Sequence, residues 1–247
     1  GTTALINASL GEDANNGIAA ALGYPAGTKI SRDQWNGYHV PNEYVANFDL
    51  VGVDWEATSG FGYNREKSDR RAFFYNIGGV EAYDKANVNS GWRCWKFNSR
   101  ASDGTLYSTD NYSIFSSADF PMFRLAEMYL IYAEAQARLD GGTTTDSKAM
   151  GYIKELRDRA GMTTPSSINL DFILKERACE LMWEGHRRTD LIRYGYFTAM
   201  SFPWPYKGGI PDGKVALPSY RTVYPLLQSD LSENSNLVQN TGYQSNN

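Results

Sequence analysis

Two glutamates, Glu180 and Glu184, stand four residues apart in the segment ERACELMWEGHRRTDLIRYG. On a helix that spacing brings two Cβ atoms within about 5–6 Å. Retaining glycosidases need two carboxyl groups about 5–5.5 Å apart, so this pair is the first candidate for chemistry. Such a pair normally flanks a cleft from separate strands or loops, whereas these two fall on consecutive turns of one amphipathic helix. The same stretch supplies Arg177, Arg187, Arg188 and Arg193, and preceding stretches add Arg124 and Arg157. Arginine forks holding carboxylates between stacked helices account for the same residue types without any reaction. A structural ion-pair network is therefore the expected role, no residue is assigned as catalytic, and a glycoside hydrolase stands as an alternative.

The other reactive types offer less. Only two histidines occur, His39 and His186. Glu184-Gly185-His186 lacks the Glu-x-x-His spacing of di-iron bundles, so no metal site is expected. Neither a nucleophile elbow, nor a phosphate-binding loop, nor a dinucleotide fingerprint is present, and no cofactor is expected. A formal net charge of −4 with no basic run argues against nucleic acid as a partner. Cys94 and Cys179 read as two buried thiols, with a bridge between them as the alternative.

Aromatic residues make up 14% of the 247 residues, with seventeen Tyr and six Trp, and many of them sit in sequence rich in Gly and Asn. Tyr and Trp present an apolar face with a polar edge. A pyranose ring, with a C–H face to stack on and hydroxyls to hydrogen-bond, suits that combination. A loop-rich domain that uses aromatics to cement irregular structure would show the same composition. The helices are committed to packing, so the ligand candidates come from the glycine-rich half: Trp35, Asn36, Tyr38, Trp55 and Tyr63.

Those candidates need elements to hold them. Residues 1–116 read as a loop-rich, aromatic-rich segment. Its opening has turn composition with at most a short helical turn. Pro41 precedes a short helix over Glu43–Phe48, and Ala72–Tyr75 and Trp92–Phe97 read as short strands. Residues 117–247 read as helical. Asp119 is the expected N-cap of a helix near twenty residues long that Gly141-Gly142 ends. Along it Ala126, Leu130, Ala133 and Ala137 form a flat side that lets another helix approach, beside a side carrying Leu125, Met128, Tyr129 and Tyr132. Asp146 caps a second helix with Ala149, Ile153, Leu156 and Ala160 on one face, closed by Gly161. Asn169 or Asp171 starts a third, with Ile173, Arg177, Ala178, Leu181 and Met182 inward and Glu176, Glu180 and Glu184 stacked. About thirty-five residues separate Ala126 from Gly161, the length of a tetratricopeptide-type hairpin, a unit that cannot bury its own face. Phe202–Gly209 is expected to be a proline-stiffened, exposed aromatic loop. The fold class expected is mainly α, a tetratricopeptide-like helical base with long irregular loops and few short strands.

Four blocks, DFPMFRLAEMYLIYAEA, RDRAG, ERACELMWEGHRRTDLIRYG and YPLLQSDLSENSNLVQNTGY, follow one another from Asp119 to Tyr243. In order and spacing they resemble the C-terminal blocks of the SusD/RagB family, surface glycan-binding lipoproteins of Bacteroidetes outer membranes. A weaker likeness joins Trp35-Asn36-Gly37 to Asp69-Arg70-Arg71, similar to the family's WxG-like loop and Asp-x-Arg. The resemblance implies carbohydrate binding without catalysis at the cell surface, with delivery to a SusC-like TonB-dependent transporter. It implies a membrane association only through an N-terminal lipid anchor absent from this chain, which would be a C-terminal portion of a longer protein. It also implies that the closing PxxxxDLxxNxxLxQNxGY-like tail, here with Leu226 where the family has a second proline, anchors back onto the helical base. A helical-repeat module that binds another protein is the rival reading from a different class.

Overall fold

The structure, a computed structural model, describes residues 12–28, 30, 37–78, 91–98, 100 and 119–244. The chain divides into two compact units, Gly1–Gly185 and His186–Asn247. Among the described residues no helix is long and apolar enough to cross a membrane.

The base of the first unit is helical. Helix α3 (Leu125–Leu139) packs Ala126, Leu130, Ala133 and Ala137 against Ala149, Ile153 and Leu156 of α4 (Ser147–Arg159) and Ile173 of α5 (Leu170–Glu180). The alanine side is the buried side because a methyl group lets two helix backbones come close. Tyr129 lies flat on Tyr152, ring centroids 4.1 Å apart, and Tyr132 meets Tyr152 edge-on, so the tyrosines seal the hairpin's flank. Leu125, Met128 and Ile131, with Met122 and Phe123 before them, stay exposed.

The caps follow the expected chemistry with one displacement. Gly141, at φ +77 just past the cap, turns the chain so that the Gly142 N–H reaches the Ala137 carbonyl at 2.7 Å and ends α3. The short strands β4 (Thr143–Thr144) and β5 (Ile168–Asn169) pair antiparallel and bring the start of α5 beside the end of α3. Asp146 Oδ1 accepts from Lys148 N at 3.1 Å and Ala149 N at 2.8 Å, and Asn169 Oδ1 accepts from Phe172 N at 2.8 Å. Asp119 does not cap α3. The helix begins at Leu125 with Arg124 at the cap position and no side-chain cap bond, because a guanidinium has no acceptor to offer the first N–H groups, and its donors go to Glu180 of α5 and to Glu184 beyond it. Helix α5 also ends earlier than its period suggests, at Glu180, leaving Glu184 in a following turn.

The loop-rich part has more order than its composition suggests. Residues Glu12–Ala21 form helix α1, not a turn. Gly17 sits within it because a Cβ there would collide with the Tyr75 phenol, so glycine permits the close approach that lets Ile18 and Ala19 pack beside Trp95. A single turn, α2 (Asn42–Val45), follows Pro41. Strands β1 (Ser59–Gly60), β2 (Phe74–Ile77) and β3 (Trp92–Cys94) form an antiparallel sheet in that order, and Val40 bridges to Trp92. Phe74 and Trp92 are fully buried and, with Phe48, Val45, Cys94, Cys179 and Met182, make one core. Both cysteines are buried and unbridged. Cys179 Sγ lies 3.2 Å from the Asn47 carbonyl, and burial pushes the Cys94 thiol up to about 12.

The second unit carries α6 (Arg187–Arg193) and α7 (Gln228–Glu233). Its aromatic loop closes on a buried lysine and does not stand out in solvent: Lys207 Nζ donates to the carbonyls of Ala199 and, at 2.9 Å, Phe202, with the Trp204 ring 4.5 Å away. In the tail, the Gln239 amide bridges both backbone groups of Leu226 at 2.8 and 2.9 Å. Asn240 donates to Tyr224 O at 2.7 Å and Tyr243 to Val223 O at 3.0 Å. The closing motif is thus a set of side chains that replace strand pairing for residues 223–226.

Candidate functional site

Glu176 and Glu180 of α5, and Glu184 in the turn after it, face cations supplied from three directions. Glu176 is gripped on one oxygen by Arg71 and on the other by Arg157 Nη1 at 2.7 Å, and all three side chains are buried. Arg71 holds Asp69 with Nη2 at 2.7 Å and Nε at 3.0 Å, which gives the Asp-x-Arg pair a structural meaning. Arg157 continues to Asp49 at 3.0 Å, and Lys175 reaches the same carboxylate at 2.7 Å. Glu180 receives Arg124 Nη1 at 2.9 Å and Arg159, and Glu184 receives a two-pronged Arg124 at 2.7 and 2.8 Å together with Lys96.

The electrostatics follow from those partners. Burial alone would raise the Glu180 carboxyl, but Arg124 and Arg159 outweigh it and hold it below its ordinary value. Asp49 behaves likewise, with burial overcome by Lys175 and Arg157. Burial pulls the Lys96 ammonium down against the opposing pull of Glu184. A general acid of a glycosidase requires the opposite, a carboxyl raised by an apolar site and facing a second across a gap. Here both candidates share one guanidinium. Among the described residues no group of three or more His, Cys, Asp or Glu could hold a metal ion.

The aromatic candidates separate. Trp35 and Asn36 lie outside the described residues. Tyr38 is 50% exposed and Trp55 37% exposed. Trp55 touches Trp92 directly, and Tyr38 lies two residues before a segment that pairs with it. Trp55 presents its ring edge-on to the Trp92 ring at 6.4 Å, and Tyr38 leads into Val40, whose backbone exchanges hydrogen bonds of 2.8 and 2.9 Å with that of Trp92. Trp92 is itself pinned by its indole N–H donating to Asn42 Oδ1 at 2.7 Å.

Tyr63 does not stand on a rim and is corrected to a core residue. It is 9% exposed, and its hydroxyl donates to Ala72 O at 2.5 Å while accepting from Phe74 N at 3.3 Å. Burial raises its phenol well above the ordinary value. A segment with so little strand pairing uses a phenol to satisfy backbone groups that a ladder would otherwise bind. One ring was missed by sequence reasoning: Trp183, half-buried, meets Tyr38 edge-on with centroids 6.5 Å apart and planes at 75°. The four-residue spacing of Glu176, Glu180 and Glu184 masked it by suggesting a helix that runs straight through.

Comparison with known proteins fits this architecture. The SusD family model matches residues 30–243, so the chain belongs to the SusD family. Starch-binding protein SusD of Bacteroides thetaiotaomicron is 36% identical over 180 residues, 71% of this chain and 31% of that protein. Surface glycan-binding protein A from Bacteroides uniformis shares the fold, with a TM-score of 0.60 at 20% identity over 96% of this chain and 46% of that one. A SusD-like protein from Bacteroides fragilis does so with a TM-score of 0.56 at 19% identity over 87% and 48%. The chain therefore spans 31% of the curated relative's length and about half of these solved structures.

Proposed function

We propose that this chain is part of a surface glycan-binding protein of the outer membrane. In this reading it takes up oligosaccharide without chemistry and hands it to a SusC-like TonB-dependent transporter, held at the membrane by an N-terminal lipid anchor of the longer protein. Residues 1–116 supply the ligand surface, through Trp35, Asn36, Tyr38 and Trp55, and residues 117–247 supply the base. The observation that carries the reading is the family match over residues 30–243, with a starch-binding protein at 36% identity. The exposed rings of Trp55, set against the buried Trp92, and of Tyr38, set against Trp183, add a stacking surface that needs little ordering on binding. The saturated glutamates Glu176, Glu180 and Glu184 favour binding over hydrolysis.

Affinity electrophoresis across a panel of glycans tests this. Retarded migration in at least one glycan is expected, reduced by Trp35→Ala and by Trp55→Ala at unchanged melting temperature. Unaltered migration in every glycan sinks the reading. A second reading, a helical-repeat module that docks another protein, is favoured by the exposed apolar stripe Phe123, Leu125, Met128 and Ile131. It would gain if Leu125→Arg abolished a protein complex while glycan binding was absent.

A further inference from the structure

Among the described residues of the first unit, one bulky side chain sits on a left-handed backbone: Trp183, at φ +63 in the turn after α5. A residue with a Cβ persists there only where its surroundings impose it. One ammonium gathers the oxygens of that turn. Lys96 Nζ donates to Glu180 O at 2.9 Å, to Met182 O at 2.8 Å and to the Glu184 carboxylate, so all three of its donors serve the turn. The Glu180 carbonyl is one that a helix end leaves open, and positive charge is favourable beside it. Lys96 reaches this point from the sheet. It stands two residues beyond β3, and Trp95 between them bonds to Phe73 O at 3.0 Å, so a shift of the sheet carries the ammonium with it. The second unit repeats the pairing of strain with lysine. Tyr206, at φ +59, precedes the buried Lys207, whose ammonium gathers the carbonyls of Ala199 and Phe202.

We propose that Lys96 is a latch between the sheet and the helical base. Seated, its ammonium holds residues 181–185 in the strained turn. Withdrawn, it lets Trp183 return to ordinary backbone and the end of α5 open. The device stands independently of the glycan-binding reading. Two amides report on it: Leu181 N–H bonds to Arg177 O at 2.9 Å, and Glu184 N–H bonds to Leu181 O at 3.1 Å. Opening of the turn exposes both to exchange while α4 stays closed. The packing of the Trp183 ring is the competing explanation. If packing alone held the turn, the ammonium would be dispensable. If the latch holds it, the ammonium becomes dispensable only once the strain is removed.

A double-mutant cycle separates the two. Hydrogen exchange, read by mass spectrometry on peptides covering residues 180–185 and on α4 peptides as reference, is measured for wild type, Lys96→Met, Trp183→Gly and the double variant. Lys96→Met leaves Glu184 paired with Arg124, so no bare buried charge threatens the fold. Glycine adopts φ +63 without penalty. Trp183→Asn repeats the cycle with a side chain that tolerates the left-handed region, should the glycine variant not fold. Expected is exchange at least tenfold faster in the turn of Lys96→Met with α4 unchanged, and less than threefold further acceleration when Lys96→Met is added to Trp183→Gly. A smaller acceleration in Lys96→Met, equal acceleration in α4, or a threefold or larger effect of Lys96→Met in the glycine background each overturns the latch.

Discussion

The helical base and the loop-rich part of the first unit bury their cores by different means. Around α3, α4 and α5 the core is Ala, Leu and Ile, and the hydrogen bonds of the backbone are closed within each helix. Around β2 and β3 the core is Trp92, Phe74, Phe48 and Tyr63, and side chains complete what the short strands leave open. Tyr63 serves Ala72 and Phe74, Ser68 serves Val51 and Asn64, and the Asn76 amide donates to Ala57. Irregular backbone exposes more polar groups per residue, so it needs large rings for burial and side-chain donors and acceptors for satisfaction. The two kinds of core meet at a charged seam in which Asp49, Asp69 and Arg71 come from the loops and Glu176 and Arg157 from the helices.

The seam is where the comparison breaks hardest. Glu176→Gln leaves Arg71 and Arg157 without the charge they share, and a buried pair broken on one side costs about 3–5 kcal/mol. Urea unfolding measures it, and a loss below about 1 kcal/mol would mean that the seam is not holding the halves together. Acid probes the same seam. Asp49 and Glu180 are held below the values 3.8 and 4.5 of their unfolded forms. As pH falls the unfolded chain therefore takes up their protons first. The stability they add is fully present above pH 4.5 and is lost as pH drops through their lower folded values. A melting temperature that is flat from pH 7 to 5 and falls below pH 4.5 is expected.

Next in size, Leu130→Ala in the aliphatic core is expected to cost about 2–5 kcal/mol. In the aromatic core, Tyr63→Phe keeps the ring but orphans the Ala72 carbonyl and the Phe74 N–H, at about 1–3 kcal/mol. An equal loss from Phe74→Leu and Tyr63→Phe would show that polar satisfaction matters as much as ring volume there. Asp146→Ala, which frees two N–H groups at the start of α4, should cost about 1 kcal/mol. The smallest effect belongs to Lys154→Ala, whose exposed i,i+4 partner Asp158 is worth about 0.3–0.5 kcal/mol. Chemical denaturation at matched salt ranks all of these, and Lys154→Ala exceeding Asp146→Ala would reverse the argument.

The helical base was legible because its signals are local. The alanine face of α3, the Gly141-Gly142 stop, the Asp146 and Asn169 caps and the face of Ala149, Ile153, Leu156 and Ala160 each depend on residues within a turn or two. Composition misled at α1, where Asn15-Asn16-Gly17 reads as a turn although Gly17 is there to admit Tyr75. It also hid the break after Glu180, because the glutamate spacing carries on past the helix end and only Lys96 and Arg124 show why the chain turns.

Residue types and their spacing were enough to place the paired charges, the helix faces and the aromatic reservoir, since helical period and capping act over a few residues. They could not decide that Tyr63 lies inside while Tyr38 and Trp55 remain accessible, because each ring's exposure depends on Trp92, Val40 and neighbours far along the chain. Nor could they pair Arg71 with Glu176, which stand 105 residues apart. Burial and long-range charge pairing depend on which segments meet, and that is settled only when the whole chain has folded.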